Sequence, residues 1–473
     1  MGFRVLHIAR SGLLAQQRGI EVTSGNIANV NTPGYTRRRV RFSPVVPEAR
    51  HAVGSGVQVR HIEEFRSRYL DSQIRSFLSR QARSHADEFW LQRLSAILGE
   101  PNSETGIHAL LRRFFDVVQE LVLHPEDLSL RELLLQRAEE IATAFRRLGA
   151  DFQALRTEIS QRLAQRVEQL NPLFRRLAEL NTQRAVMLDG SEQAIAIEDE
   201  QTRLLEEIAR AVPITVAADG RGVLTVSIAG HAVVTGADAL QLQLRSRTDS
   251  TTGEQVIEVW LSDAARRPVA HLPLSEGELA SMLWHYNVTV DPQEQSEHFS
   301  LAREINRFVE QWVRRINAIL ATGYGMDDTT APTLGRRLFE GDDMDTIRLS
   351  GDVVGRPRAL PLSDTPGEPG NAAVARKLLA LAEDSTFIDG MSPQGFYTAT
   401  VSRIGNFLAT AHLHQEWLQA SLQQLEAQRQ ELSGVNLDEE AANLIRYQKA
   451  YEASARVATV AATLLDALIR MGV

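Results

Sequence analysis

The chain has 473 residues and not one cysteine. That excludes a disulfide framework, thiolate metal sites and a cysteine nucleophile together, so stability must come from packing. Lysine is nearly absent too, occurring only as Lys377 and Lys449, and arginine carries the positive charge. Aromatic residues make up 6% of the chain, which points toward a helix-rich protein. Long apolar runs are missing. The N-terminal stretch MGFRVLHIARSGLLAQQRG is interrupted by Arg4 and Arg10, so it has no continuous apolar core of a secretory signal peptide. No run approaches the roughly 20 apolar residues of a membrane-spanning helix. These features fit a cytoplasmic protein or one exported without a cleavable signal, and no membrane partner is expected.

Catalytic patterns are also lacking. His412 and His414 stand two apart, on different faces of a helix, and no metalloprotease, nucleophile-elbow or phosphate-loop spacing follows a strand. Asp342, Asp343 and Asp345 lack the glycine and position-twelve glutamate of a calcium loop, so they read as a solvated acidic loop, as do Asp327 and Asp328. The expectation is a non-enzyme with no catalytic residue, cofactor or metal.

What is present has the composition of a soluble globular protein, with 43% hydrophobic and 23% charged residues. The length suits two to four domains. The formal charge of -9 argues against nucleic acid as a partner. Residues 1 to 60 nevertheless carry nine Arg against two Glu, net +7. Arg37, Arg38, Arg39 and Arg41 form the densest basic run and read as a solvated arm after a turn.

Periodicity is clearest at the two ends. Leu6, Leu13, Ile20 and Ile27 recur every seven residues and predict one helical stripe, ended at Asn31-Thr32-Pro33-Gly34-Tyr35. At the other end Leu437, Ala441, Leu444, Gln448, Tyr451, Ala455, Ala458, Ala462, Leu465 and Ile469 alternate in steps of four and three, a heptad seam with one polar interruption. Asn436 is placed to cap that helix, with Glu439 completing a capping box and Asp438 and Glu440 meeting the positive end of its dipole. Each stripe needs a partner, and the other terminal helix is the obvious one. The alanines permit close approach but bury little area, so the pair is expected to be weak or disordered in the isolated monomer and ordered when neighbouring subunits add surface.

Between the ends, helices are expected over 66–98, 106–123, 127–188, 192–210, 276–286, 297–321, 371–382 and 393–432, with Pro172 kinking or breaking the longest. From Pro213 to Leu274 the period changes to two, with turn signals at Gly220, Gly230 and Gly236, and a further strand is expected near Ile347 and Leu349. The fold class is therefore mainly α with a small β domain. Its expected divisions are an axial region of terminal helices (1–60 and 433–473), a discontinuous helical bundle domain (61–211 and 275–432) and an inserted β domain (212–274).

Residues 11–35, SGLLAQQRGIEVTSGNIANVNTPGY, resemble the N-terminal segment shared by flagellar rod, hook and hook-associated proteins, above all the string from Asn26 to Tyr35. Residues 434–473 resemble the matching C-terminal segment, and the run from Asp438 to Tyr451 is most similar to the FlgK family of hook-associated proteins. The resemblance covers about the first 45 and last 40 residues and is looser between them. It implies an axial layer of paired terminal helices, with a helical domain and then a β domain outside it. The implied function is structural, at the hook-filament junction on the distal end of the hook, after type III export. Implied partners are other copies of the chain, the hook protein, a second junction protein on the filament side, and an export chaperone on the C-terminal helix. The residues it places at the assembly interface are Leu6, Leu13, Ile20, Asn26, Ile27, Asn29, Asn31, Pro33, Gly34 and Tyr35, with Leu437, Leu444, Tyr447, Tyr451, Ala455, Ala458, Ala462, Leu465 and Ile469 opposite. A hook or rod subunit and a flagellar peptidoglycan hydrolase are the rival readings.

Overall fold

A computed structural model describes residues 2–32, 35–45, 56–99, 106–248, 255–291, 298–328 and 333–470. Its secondary structure is mainly helical, with small antiparallel sheets. Helix α1 (Gly2–Ala28) leads into a hairpin of β1 (Arg38–Pro44) and β2 (Val57–Glu64). Four helices follow: α2 (Arg68–Leu98), α3 (Ile107–Leu123), α4 (Leu128–Ala185) and α5 (Glu192–Ala211). Serine or aspartate caps most of the long helices. Ser67 accepts from the Leu70 amide, Asp127 from Ser129 and Leu130, and Ser191 from Ala194, satisfying first-turn donors that have no helical acceptor.

The β part comes next. One sheet holds β3 (Thr215–Ala218), β4 (Leu224–Ile228), β5 (His231–Thr235) and β6 (Asp238–Ala239), and the other β7 (Gln241–Thr248), β8 (Gln255–Ser262) and β9 (Pro268–His271). Ala229 and Gly230 turn β4 into β5 with φ of 48° and 82°, the left-handed pair that a two-residue hairpin requires. Helices α6 (Glu278–Trp284) and α7 (Leu301–Leu320) return the chain to the bundle, a two-residue ribbon joins β10 (Phe339–Glu340) to β11 (Arg348–Leu349), and α8 (Ala373–Ala380), α9 (Pro393–Ser433) and α10 (Leu437–Arg470) complete the chain.

The 58-residue α4 is the spine, about 87 Å long at 1.5 Å per residue. Pro172 lies inside it without ending it, a correction to the expected break. The asparagine before this proline is put to use. Asn171 accepts from the Leu242 amide and donates to the Leu242 carbonyl, while Asn181 does the same for Leu224 and also donates to Gly236. Two side chains ten residues apart on one helix therefore fix both sheets by main-chain hydrogen bonds. The bundle core nearer the start of α4, around Phe145, is aromatic. Trp312 is fully buried, with Phe114, Phe115 and Phe308 at ring-centroid distances of 5.4, 5.7 and 6.0 Å.

Helix α9 runs antiparallel to α2 in a layer that also packs against α5 and brings the chain back to the terminal region. Its core is small: Leu70, Ile74, Leu78 and Leu422, with Phe77 and Leu425 at the edge. The hairpin β1–β2 was not foreseen. Its outward face carries Arg39, Arg41 and Arg60, and that polarity hid the alternation expected of a strand. Asp328 is a second correction. It is buried rather than solvated, accepting from the Gly325 and Thr333 amides and pairing with Arg336 at 3.0 Å.

Replacing Trp312 by alanine is expected to cost the bundle about 3–5 kcal/mol, the usual range for a large aromatic removed from a full core. Urea unfolding followed by circular dichroism measures it; a loss below about 1 kcal/mol would contradict this assignment of the core.

Candidate assembly site

The two chain ends meet as an antiparallel helix pair, α1 against α10. A Cβ built on Gly12 would stand 3.0 Å from the Ser454 hydroxyl, and one on Gly19 would stand 2.9 Å from the Tyr447 ring. Asn26 donates to Glu440 at 2.9 Å. Position 12 thus faces 454, 19 faces 447 and 26 faces 440, a strict heptad in opposite directions. The buried residues along it are Ala9, Ala15, Thr23 and Asn26 on one side and Glu440, Tyr447 and Ala461 on the other.

This seam is one residue away from the expected one on each helix, about 100° round the axis. Leu6, Leu13, Ile20 and Ile27 are half-buried at its side, as are Leu444, Ala455, Ala458 and Leu465. Leu437, Ala441, Gln448, Tyr451 and Ala462 are exposed and do not face α1, which corrects the expected seam. The physical reason is that bulk marked the expected stripe, whereas backbones come together where side chains are smallest. Tyr447, which the sequence reading included, is buried between Gly19 and the Phe42 ring of the hairpin at 6.0 Å. Asn31 is exposed; Pro33, Gly34 and the side chain of Ile469 lie outside the described residues.

Where the pair meets the body, one side chain organises four segments. The Asn26 amide nitrogen donates to the Arg38 carbonyl at 2.8 Å and to Glu440, and its oxygen accepts from the Tyr35 hydroxyl at 3.0 Å and the Arg38 amide at 3.1 Å. Every hydrogen-bonding position of the amide is filled. Asn29 acts locally, donating to the Gly25 carbonyl and accepting from Thr32. Glu440, itself 2% exposed, is neutralised by Arg37 at 2.8 Å, and the same guanidinium reaches Glu439 at 2.8 Å. Asn436 caps α10 through the Asp438 and Glu439 amides, while the Glu439 carboxylate pairs with Arg37 instead of closing the expected capping box. Arg37 and Arg38 are therefore not a solvated arm. Arg38 and Arg66 grip Asp199 of α5 at 2.8 and 2.7 Å, with the Thr36 hydroxyl also donating to it.

Sequence reasoning missed Gly12, Gly19, Ser454, Arg37, Arg66, Asp199 and Glu440 as site residues. A signal existed for some of them: Gly12, Gly19 and Asn26 are spaced by seven, as are Glu440, Tyr447, Ser454 and Ala461. Among the described residues no cluster of three or more His, Cys, Asp or Glu is placed to hold a metal ion, and no helix is long and apolar enough to cross a membrane.

A family model described as the helical domain of flagellar hook-associated protein FlgK matches residues 91–339, more than half of the chain. The chain belongs to the FlgK family. Models of the flagellar basal body rod proteins match its two ends, residues 6–36 and 426–471, the segments that form the helix pair. Flagellar hook-associated protein 1 of Bacillus subtilis is 25% identical, with 100% of this chain and 99% of the relative aligned, and that of Escherichia coli is 23% identical, with 99% of each. The flagellar hook junction protein FlgK from Burkholderia pseudomallei has a similar fold, with a TM-score of 0.64 and 14% identity over 76% of this chain and 100% of that one. The FlgK-family chain is thus a structural component of the flagellum, with an α+β multidomain fold.

Two outcomes test the geometry. Gly19→Val drives a branched side chain into the Tyr447 ring, and overpacking of this kind costs about 1–3 kcal/mol. Amide exchange in α1 and α10 should speed up about tenfold or more while α4 is unchanged; equal protection in both variants would refute the close approach. The second concerns Glu64, whose carboxyl burial pushes up to about 7 against the pull of Arg66. Its raised value means that the joint is tightest below the ordinary carboxylate range of about 4.5 and loses stability as pH rises to about 7. The loss is on the order of 3 kcal/mol. Exchange rates in β2, read from pH 5 to 8, should show this slope in the parent chain and a flatter one in Glu64→Gln.

Proposed function

We propose that this chain is a subunit of the hook-filament junction, added at the distal end of the hook through its paired terminal helices. The observation that carries the reading is an apolar surface left uncovered beside the seam. Val457, Val460 and Leu464 are 46%, 57% and 59% exposed along one flank of α10, and on α1 Phe3 and Leu14 are 76% and 58% exposed. A helix that buries one stripe internally and exposes a second has surface for a further helix.

Copies of the chain supply that helix in this reading. Each pair would pack on the next by heterologous contacts, which build an open helical array instead of a closed dimer. The exposed members of the originally expected seam, Leu437, Tyr451 and Ala462, lie across the seam on the other flank of α10, with the half-buried Leu6, Leu13, Ile20, Ile27, Leu444, Ala455, Ala458 and Leu465 beside them, and would offer a second surface to neighbouring copies. The hub of Asn26, Tyr35 and Tyr447 then holds the axial pair at a fixed angle to the body. Division into an axial part (1–60 and 433–473), a helical domain (61–211 and 275–432) and a β domain (212–274) follows the same logic. The further partners are the hook protein below, a second junction protein on the filament side, and an export chaperone that covers the C-terminal helix before secretion to the cell exterior. The Burkholderia pseudomallei protein of similar fold is a flagellar hook junction protein, which supports this reading.

The deciving experiment is binding of the purified chain to isolated hooks, viewed by electron microscopy, beside a truncation lacking residues 434–473 and a Val460→Asp, Leu464→Asp variant. Capping of the distal hook end by the intact chain alone supports the reading. Long tubes from the intact chain would favour a hook or rod subunit instead, and undiminished capping by the aspartate variant would remove the exposed flank from the interface.

A further inference from the structure

We infer that the buried triad of Asn26, Glu440 and Arg37 sets the register of the axial helix pair. This deepens the assembly reading and rests on it for its purpose. The argument starts from the degeneracy of the seam. Tyr447 needs a position without a side chain opposite it, and Gly19 supplies one. Gly12 is a second such position seven residues earlier, on the same face of α1. Sliding α10 by one heptad, about 10 Å, keeps a glycine in front of the ring and keeps small residues along the contact. The small residues along the seam therefore distinguish the two registers poorly, and the slide costs one apolar contact, that of Tyr447 with the Phe42 ring.

The polar residues do distinguish them. In the observed register Glu440 is 2% exposed and holds three hydrogen-bonded or ionic contacts, one from Asn26 and two from Arg37, while Asn26 is fully buried with all four of its bonds made. A one-heptad slide takes Glu440 off both partners and leaves Asn26 facing position 433. Breaking a buried ion pair costs far more than the pair itself contributes, because a desolvated group is left unpaired. A single polar residue at a seam position fixes register in coiled coils by the same physics. Register matters for an array because it decides where Val457, Val460 and Leu464 sit along the axis relative to the body. Two subunits differing by 10 Å cannot occupy equivalent places in one helical lattice.

The absence of cysteine from the chain gives a direct test on the intact monomer. Ser454→Cys is combined with Gly12→Cys to trap the observed register, or with Val5→Cys to trap the slid one, in the parent sequence and in a chain carrying Asn26→Leu and Glu440→Leu. The leucines keep the seam apolar, so the helices can still pair. In the parent, the disulfide from position 12 is expected to exceed that from position 5 by about 100-fold or more, and in the leucine chain the two should fall within about tenfold. A leucine chain that cross-links only from position 12 would overturn the inference, since the three-residue link at 434–436 would then fix the register. Loss of both cross-links with unchanged bundle stability would also overturn it, by making the triad necessary for pairing itself. Because the readout lies within one chain, it stands apart from failure to cap hooks.

Discussion

Glu440 is a carboxylate 2% exposed between two helices that come from opposite ends of the chain. Everything near it follows from the need to neutralise and bond that group. Asn26 reaches it from α1, Arg37 from the start of the hairpin, and through the Arg38 amide and carbonyl Asn26 ties the same hairpin to the pair. The next residue, Arg38, passes the linkage on to Asp199 in α5, and Arg66 closes it from the entry to α2. The axial pair is thus joined to the body by a chain of charge-assisted bonds in a half-dry setting, where such bonds are stronger than on an open surface.

Two kinds of packing share the molecule. The bundle is built like an ordinary domain interior, with large aromatics around Trp312 and a single long helix that fixes the sheets through Asn171 and Asn181. The axial pair is built from glycine, alanine, serine and threonine, which bury little area per residue and gain stability mainly from close approach. A pair of that kind is stable to the degree that neighbours cover its remaining faces. Such packing is compatible with the assembly proposed above, in which neighbouring copies cover those faces.

The hairpin and the triad also explain the charge distribution. Nine arginines crowd the first 60 residues of a chain whose net charge is -9. In three dimensions Arg18 pairs with Glu192, Arg37 with Glu439 and Glu440, and Arg38 with Asp199. Part of the basic N-terminal region is therefore the complement of acidic groups on α5 and α10, while Arg39, Arg41 and Arg60 face outward on the hairpin.

Much of this was legible in the sequence. Heptad spacing at both ends, capping residues and the change of period after Pro213 determined the helices, the β insertion and the partnership of the termini, because those are local properties of composition and spacing. The string from Asn26 to Tyr35 pointed to the flagellar rod, hook and hook-associated proteins, and the run from Asp438 to Tyr451 to the FlgK family among them. Which face of each terminal helix meets the other was not legible. Hydrophobic bulk marked one stripe, and the tertiary structure used the adjacent one, where Gly12 and Gly19 leave room for Ser454 and Tyr447. The fate of Arg37, Arg38 and Glu440 was decided at the same level. A charged residue reads as solvated until its partner is known, and here the partners lie 403 residues away for Arg37 and 161 for Arg38. Long-range pairing of buried polar groups is a property of the assembled fold, and only the fold could reveal it.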